Sequence, residues 1–263
     1  MASIELKRFC ITGEQLSKIP RDEAVFLMQI AHLSNTLDVL QKLFVYTTVK
    51  HDDEALAFAD ITVHSLVARL LAGTVFEAWQ VLGRSFFDTG LSKILEPQLK
   101  EEGKRALDEV KKYFGEKTLI KGVRDKFTYH YDRDKICAEI ELPVEGREHV
   151  FLLGPKQGYS LFWAAEDIAG MAMFRSIAND VGIGNVASAF NVFNDEVTTV
   201  ARDLYTLAHH CVSEILKKHF CEGGPSVSTI TLTDIPQMDE VRVPYFVAPP
   251  IIEKGVHSCK LEQ

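Results

Sequence analysis

The chain lacks, or holds little of, several features that would assign it to a large class. Its five cysteines, Cys10, Cys137, Cys211, Cys221 and Cys259, are dispersed and odd in number. That argues against a disulfide framework and for reduced thiols in a cytoplasmic protein. No basic opening followed by an uninterrupted apolar run occurs near the start, so a signal peptide is not expected. The most apolar long stretch, residues 55–82, is interrupted by Asp60, His64, Arg69 and Glu77. A membrane span, and with it a membrane partner, is therefore not expected. A basic excess is missing as well. The formal net charge of −8 speaks against a nucleic-acid coat that works by broad phosphate neutralisation. Gly182-Ile183-Gly184 is followed by no Lys-Ser/Thr, so it reads as a helix break and not as a phosphate loop. No internal repeat is visible.

What remains is an ordinary globular composition, 46% apolar and 25% charged, in 263 residues. That length is sufficient to bury a substantial core. The charge is unevenly spread. Residues 104–135 carry ten Lys or Arg against six Asp or Glu, a surplus of four, which leaves −12 for the rest of the chain.

Apolar periodicity predicts an all-α architecture. Phe26, Ile30, Leu33, Leu37, Leu40 and Phe44 recur at steps of four and three, a stripe for a helix over 20–47. Pro20, Asp22 and Glu23 suit its first turn. His51-Asp52-Asp53-Glu54 caps a second, largely apolar helix over 54–84. A third spans 98–114, with Gly115 as a left-handed cap. A fourth spans roughly 117–134, and two more cover 159–180 and 185–220. Ile136, Ala138, Ile140 and Leu142 alternate with polar residues, and Val150–Leu153 follows a Glu145-Gly146 turn. This predicts a small β-hairpin insertion over about 136–153. The proline-bearing residues 222–263 read as an extended C-terminal arm on a bundle domain of residues 1–221.

The fourth helix carries the pattern richest in chemistry, Arg124-Asp125-Lys126-Phe127-Thr128-Tyr129-His130. It sets a permanent cation six residues before the side chain that titrates near neutral pH. On a regular α-helix Ile120 and Val123 lie within about 40° of Phe127, and Arg124 and His130 lie about 60° to either side. Both polar groups then border the apolar stripe, separated by about 9 Å along the axis. One straight helix would struggle to bring both to the same bond; a two-fold-related copy could interleave two Arg and two His.

The stretch resembles the R-x(4–6)-H signature of the HEPN superfamily of small α-helical proteins, in which the residue after Arg is often Asn, Asp or His. Many members are ribonucleases, often toxins or antiviral effectors, with the site built across a dimer. The resemblance implies a HEPN-like helical bundle and a metal-independent endoribonuclease with no cofactor, cutting RNA through 2′-OH attack. His130 would be general base or acid, and Arg124 would clamp the phosphate. Tyr129 and Tyr131 could stack on a base, and Asp125 and Lys126 complete the substrate-binding set. Where HEPN toxins often show a Tyr two residues after the His, this chain has Asp132, with Tyr131 adjacent.

Three functional readings follow. The first is the dimeric ribonuclease. The second is a non-catalytic module that binds RNA or a nucleotide, or knits a dimer, through the same residues. The third is a helical interaction protein whose C-terminal arm docks on a protein partner. His209, His210, Cys211, His219 and Cys221 are of metal-ligating types, but their spacing matches no finger. Glu77, within an apolar helix, requires a partner if buried. Arg69 or Arg84 could serve, and an orienting role toward Arg124 is a further guess.

Overall fold

A computed structural model describes residues 2–48, 51–116, 118–128, 132–142, 148–156, 158–220 and 227–247. The fold is an all-α bundle accompanied by one pair of antiparallel strands. Strand β1 is Ala2–Phe9, and the short helix α1 is Gly13–Ser17. Two long helices follow, α2 (Arg21–Tyr46) and α3 (Glu54–Leu82). The chain continues through α4 (Ser92–Leu95), α5 (Glu101–Gly115), α6 (Leu119–Val123) and α7 (Arg133–Glu141). Helices α8 (Trp163–Val181) and α9 (Val186–Phe220) precede strand β2 (Val227–Ile235).

Local signals account for several helix ends. Asp53 caps α3 by accepting the Leu56 amide, and Gly182, at φ 70°, ends α8 in a left-handed turn. Gly115 does not cap α5: it lies within the helix, and the extended Glu116 terminates it. Phe26, Ile30 and Leu37 of the expected α2 stripe are buried, and Leu33, Leu40 and Phe44 pack on the same core. Helix α9 is the central strut, packed by α2, α3, α5 and α8. It approaches α5 closely at Gly103, where a Cβ would sit 2.9 Å from the His210 side chain.

By length and composition, Glu54–Phe87 is apolar enough to cross a membrane. Three of its polar side chains, His64, Arg69 and Glu77, are engaged with the protein. His64 is buried against Phe44 and within 3.1 Å of the Thr47 hydroxyl. Arg69 pairs with Glu166 on α8, and Glu77 pairs with Arg124.

The expected β-hairpin over 136–153 does not form. Residues 133–141 are helical, because the Asp132 carboxylate accepts the amides of Asp134 and Lys135 and so starts α7. Glu139 is then buried and grips Arg175 of α8 at 2.9 and 3.3 Å. Ile136 and Ile140, read as strand alternation, are also one helical turn apart. In 148–153 the extended backbone is limited to an isolated bridge between Leu152 and Leu161. Residues 143–147 lie outside the described residues. The strands are instead β1 and β2, paired from Ile4↔Leu232 to Phe9↔Val227. The expected C-terminal arm is thus extended over 227–235, but it is tied back to the other end of the chain.

Candidate functional site

The motif segment begins as α6, where the Thr118 hydroxyl accepts the Lys121 amide. Ile120, Val123 and Phe127 are buried as expected, packing the segment toward α3. The regular α-helix expected over 117–134 does not continue. It ends at Val123, opens into a wide π-turn over Arg124–Thr128, and is replaced by α7 once Asp132 caps a new helix. The projection of about 100° per residue therefore does not hold over Arg124–Thr128. Single π-turns of this kind recur at functional sites. A second one, Gly83–Phe87, closes α3.

The π-turn begins with Arg124, whose guanidinium is pinned from two sides. Nη2 donates to Glu77 Oε1 at 3.0 Å, and Nη1 donates to Asp125 Oδ1 at 3.1 Å. The cation lies 5.3 Å from the Phe76 ring centroid, and Phe76 meets Phe114 edge-on. Trp79 stacks on Phe114 at 4.8 Å, which stiffens this platform. Hydrogen bonding to Asp125, then to Glu77, raises the guanidinium's already high pKa further. Arg124 remains 38% exposed, so the head group is held at the surface with donors to spare. The orienting role guessed for Glu77 is the arrangement found; Arg69 turns to Glu166 instead.

Asp125 also lines a cleft of about 750 Å³ between α5, α6, α8 and α9. Its polar wall is mainly acidic: Glu109, Glu116, Asp180 and Glu196 accompany Asp125, against Lys112 and Lys121. In this wall the Tyr113 hydroxyl donates a short hydrogen bond to Glu196. Burial pushes the Glu196 carboxyl above its usual range, although hydrogen bonds from Tyr113 and the Leu119 backbone pull the other way. Burial and the Glu196 carboxylate push the Tyr113 phenol up as well. Neither residue was singled out from the sequence as a pair, since 83 positions separate them and no local spacing signals the contact.

A raised carboxyl pKa means that the folded chain holds a proton which the unfolded chain releases. The contribution of Glu196 to stability is therefore full below the ordinary carboxylate range and is lost as pH rises through its folded pKa. Glu196→Gln keeps an acceptor for Tyr113 and removes the ionisation. Its thermal midpoint at pH 7 is expected to equal or exceed the parent's. Tyr113→Phe, which leaves Glu196 without that donor, is expected to cost about 0.5–1.5 kcal/mol. Calorimetry of the two variants at pH 5 and 7 checks the order.

Of the other site candidates, Lys126 is described only in its backbone, and Tyr129, His130 and Tyr131 lie outside the described residues. The His/Cys group is dispersed. Cys211 is buried with its thiol pKa pushed up to about 12 by burial, and His210 sits 3.7 Å from Glu102. His219 and Lys218 both contact the buried Glu23 at 2.6 Å. Burial raises the Glu23 carboxyl, but these two partners outweigh it and leave the pKa below normal. Cys221 lies outside the described residues, and among those described no group of three or more His, Cys, Asp or Glu is placed to hold a metal.

No protein-family model, no curated protein and no solved structure matches the chain.

Proposed function

We propose that the chain is a HEPN-like, metal-independent endoribonuclease whose site is completed by a second copy of the chain. The observation that carries this reading is Arg124, held half-exposed by Glu77 and Asp125 at the start of a π-turn that opens the motif. A pre-oriented guanidinium with unused N–H donors at the surface is suited to a phosphate. In this reading His130 takes the proton of the ribose 2′-OH as that oxygen attacks phosphorus. The bond to the 5′-oxygen breaks, and the 5′-oxygen takes a proton from the second subunit's histidine, which enters the step as the imidazolium and leaves it neutral. The products are a 2′,3′-cyclic phosphate and a 5′-hydroxyl end. Arg124 binds the charge that gathers on the phosphoryl oxygens.

A non-catalytic nucleotide-binding or dimeric scaffold role is the second reading, and of its two forms the acidic cleft beside Asp125 favours the scaffold. Carboxylates in that wall repel an RNA backbone, and Arg124 is already paired twice.

Single-stranded RNA incubated with the purified protein in EDTA separates the two. Cleavage leaving cyclic phosphate ends, reduced about 10²–10⁴-fold in His130→Ala, is the expected result. No cleavage by the parent, with nucleotide binding retained, supports the second reading instead. Full activity of His130→Ala would remove the mechanism.

A further inference from the structure

The two-stranded ribbon is set apart from the rest of the fold. Every residue from Ser3 to Phe9 and from Ser228 to Asp234 is exposed, and the strands make their substantial contacts only with each other. Its two faces differ over residues 4–7, while Arg8 continues the face of Ile4 and Leu6 and the exposed Phe9 that of Glu5 and Lys7. Ile4 opposite Leu232 and Leu6 opposite Ile230 form an apolar face, each of the four at least 38% exposed. Glu5, Lys7, Thr229 and Thr231 form the other face, where Lys7 Nζ donates to the Thr229 hydroxyl at 2.7 Å. A lone pair of strands is marginal in water, and three or more with an apolar face are needed for independent stability. The ribbon also presents two open edges.

The edges are not equivalent. Along β2 the register breaks opposite Ser3, and Asp234 adopts a left-handed φ of 61°. Such a bulge bends its strand and increases the local twist, although Ala2 still pairs with Ile235 beyond it. Along β1 the register is unbroken from Ile4 to Phe9. This edge has a charge pattern that complements itself. A two-fold axis perpendicular to the sheet keeps each face on its own side, so strands can meet only with one residue opposite its own copy. Centring on Glu5 or on Lys7 sets like charges opposite each other. Centring on Leu6 sets Glu5 opposite the copy's Lys7 twice, with Leu6 beside Leu6 and Ile4 beside the stem of Arg8. Glu5, Lys7 and Arg8 have no ion-pair partner among the described residues, and the one donation of Lys7, to the neutral Thr229 hydroxyl, leaves its charge uncompensated and two N–H donors for a second chain.

We infer that β1 pairs antiparallel with β1 of a second copy, joining two ribbons into one four-stranded sheet, β2-β1-β1-β2. This interface uses neither Arg124 nor the acidic cleft, so it stands whether or not the chain cleaves RNA; where the motif also meets its copy, a closed dimer requires both contacts to share one two-fold axis.

Sedimentation equilibrium of the full chain is the test, since each chain is 29.5 kDa and a dimer has twice that mass. The parent is expected to be a dimer whose dissociation constant rises with salt, because exposed charge pairs are screened. Glu5→Lys sets Lys opposite Lys7 and is expected to weaken the dimer at least tenfold. Adding Lys7→Glu to that variant restores opposite charges and is expected to recover the parent's constant. Both positions are exposed and far from the helical core, so circular dichroism should be unchanged in each variant. A parent that stays monomeric, or a dimer that Glu5→Lys leaves unchanged, overturns the inference. So does a charge-swapped double variant no tighter than Glu5→Lys.

Discussion

In the proposed ribonuclease, Arg124→Ala is expected to lower RNA cleavage by about 10²–10³-fold, the loss typical when a donor to a developing oxyanion is removed. The fold should survive the change. Arg124 is 38% exposed, its partner Glu77 is 52% exposed, and ion pairs of that kind contribute little to stability. Its thermal midpoint should therefore stay within a few degrees of the parent's, which separates a chemical loss from unfolding. Arg124→Lys is not expected to rescue the activity. A lysine ammonium is a point charge and cannot fork between Glu77 and Asp125 while offering planar donors to a phosphate. Glu77→Gln keeps the hydrogen bond to Arg124 and removes one neutralising charge, so cleavage at or above the parent's rate is expected there. The cleavage rates of these three variants, measured beside circular dichroism melts, form the decisive set. Parent-level cleavage by Arg124→Ala would take the guanidinium out of the chemistry.

Phe86→Ala is expected to cost about 3–5 kcal/mol of folding stability. For a chain of this size each kcal/mol lowers the midpoint by about 2–4 °C, so a fall of about 6–20 °C should appear on heating. Phe86 sits in the π-turn that closes α3 and has no exposed surface. Its ring stacks on Phe26 of α2 at 5.2 Å and meets Phe87 edge-on at 5.2 Å. Truncation removes the apolar burial and two ring contacts, and it leaves a void between elements too rigid to close it fully. Phe86→Leu retains most of the volume and should lose markedly less. A fall of under 2 °C in the alanine variant would show that the neighbouring helices can collapse into the space.

The same comparison of ring and void shows how far local pattern reaches. Helices α2, α3, α8 and α9 were legible because each buries a stripe against the core over many turns, and a 3.6-residue period accumulates over that length. Asp53 and Gly182 were legible because caps act on their own backbone within a few residues. The region 136–142 was misread because Ile136 and Ile140 satisfy both a period of two and a step of four. The Asp132 cap and the Glu139–Arg175 contact favour helix, and the second of these joins residues 36 positions apart.

The candidate site divides in the same way. Arg124 as a cation at the border of an apolar stripe follows from residue types and spacing, and so did the burial of Ile120, Val123 and Phe127. The wide turn that redirects the motif, the Glu77 clamp 47 residues away and the Tyr113–Glu196 pair all depend on which helices come to lie side by side. The pairing of β1 with β2 joins segments more than 200 residues apart and is another case. By itself the sequence determined that the chain is an all-α bundle, where its long helices run, and that a cation borders their core. Only the tertiary structure decided which carboxylates hold that cation, where the helix opens, and which strands pair. Periodicity and capping are energies within one segment, whereas these contacts exist only after distant segments have packed.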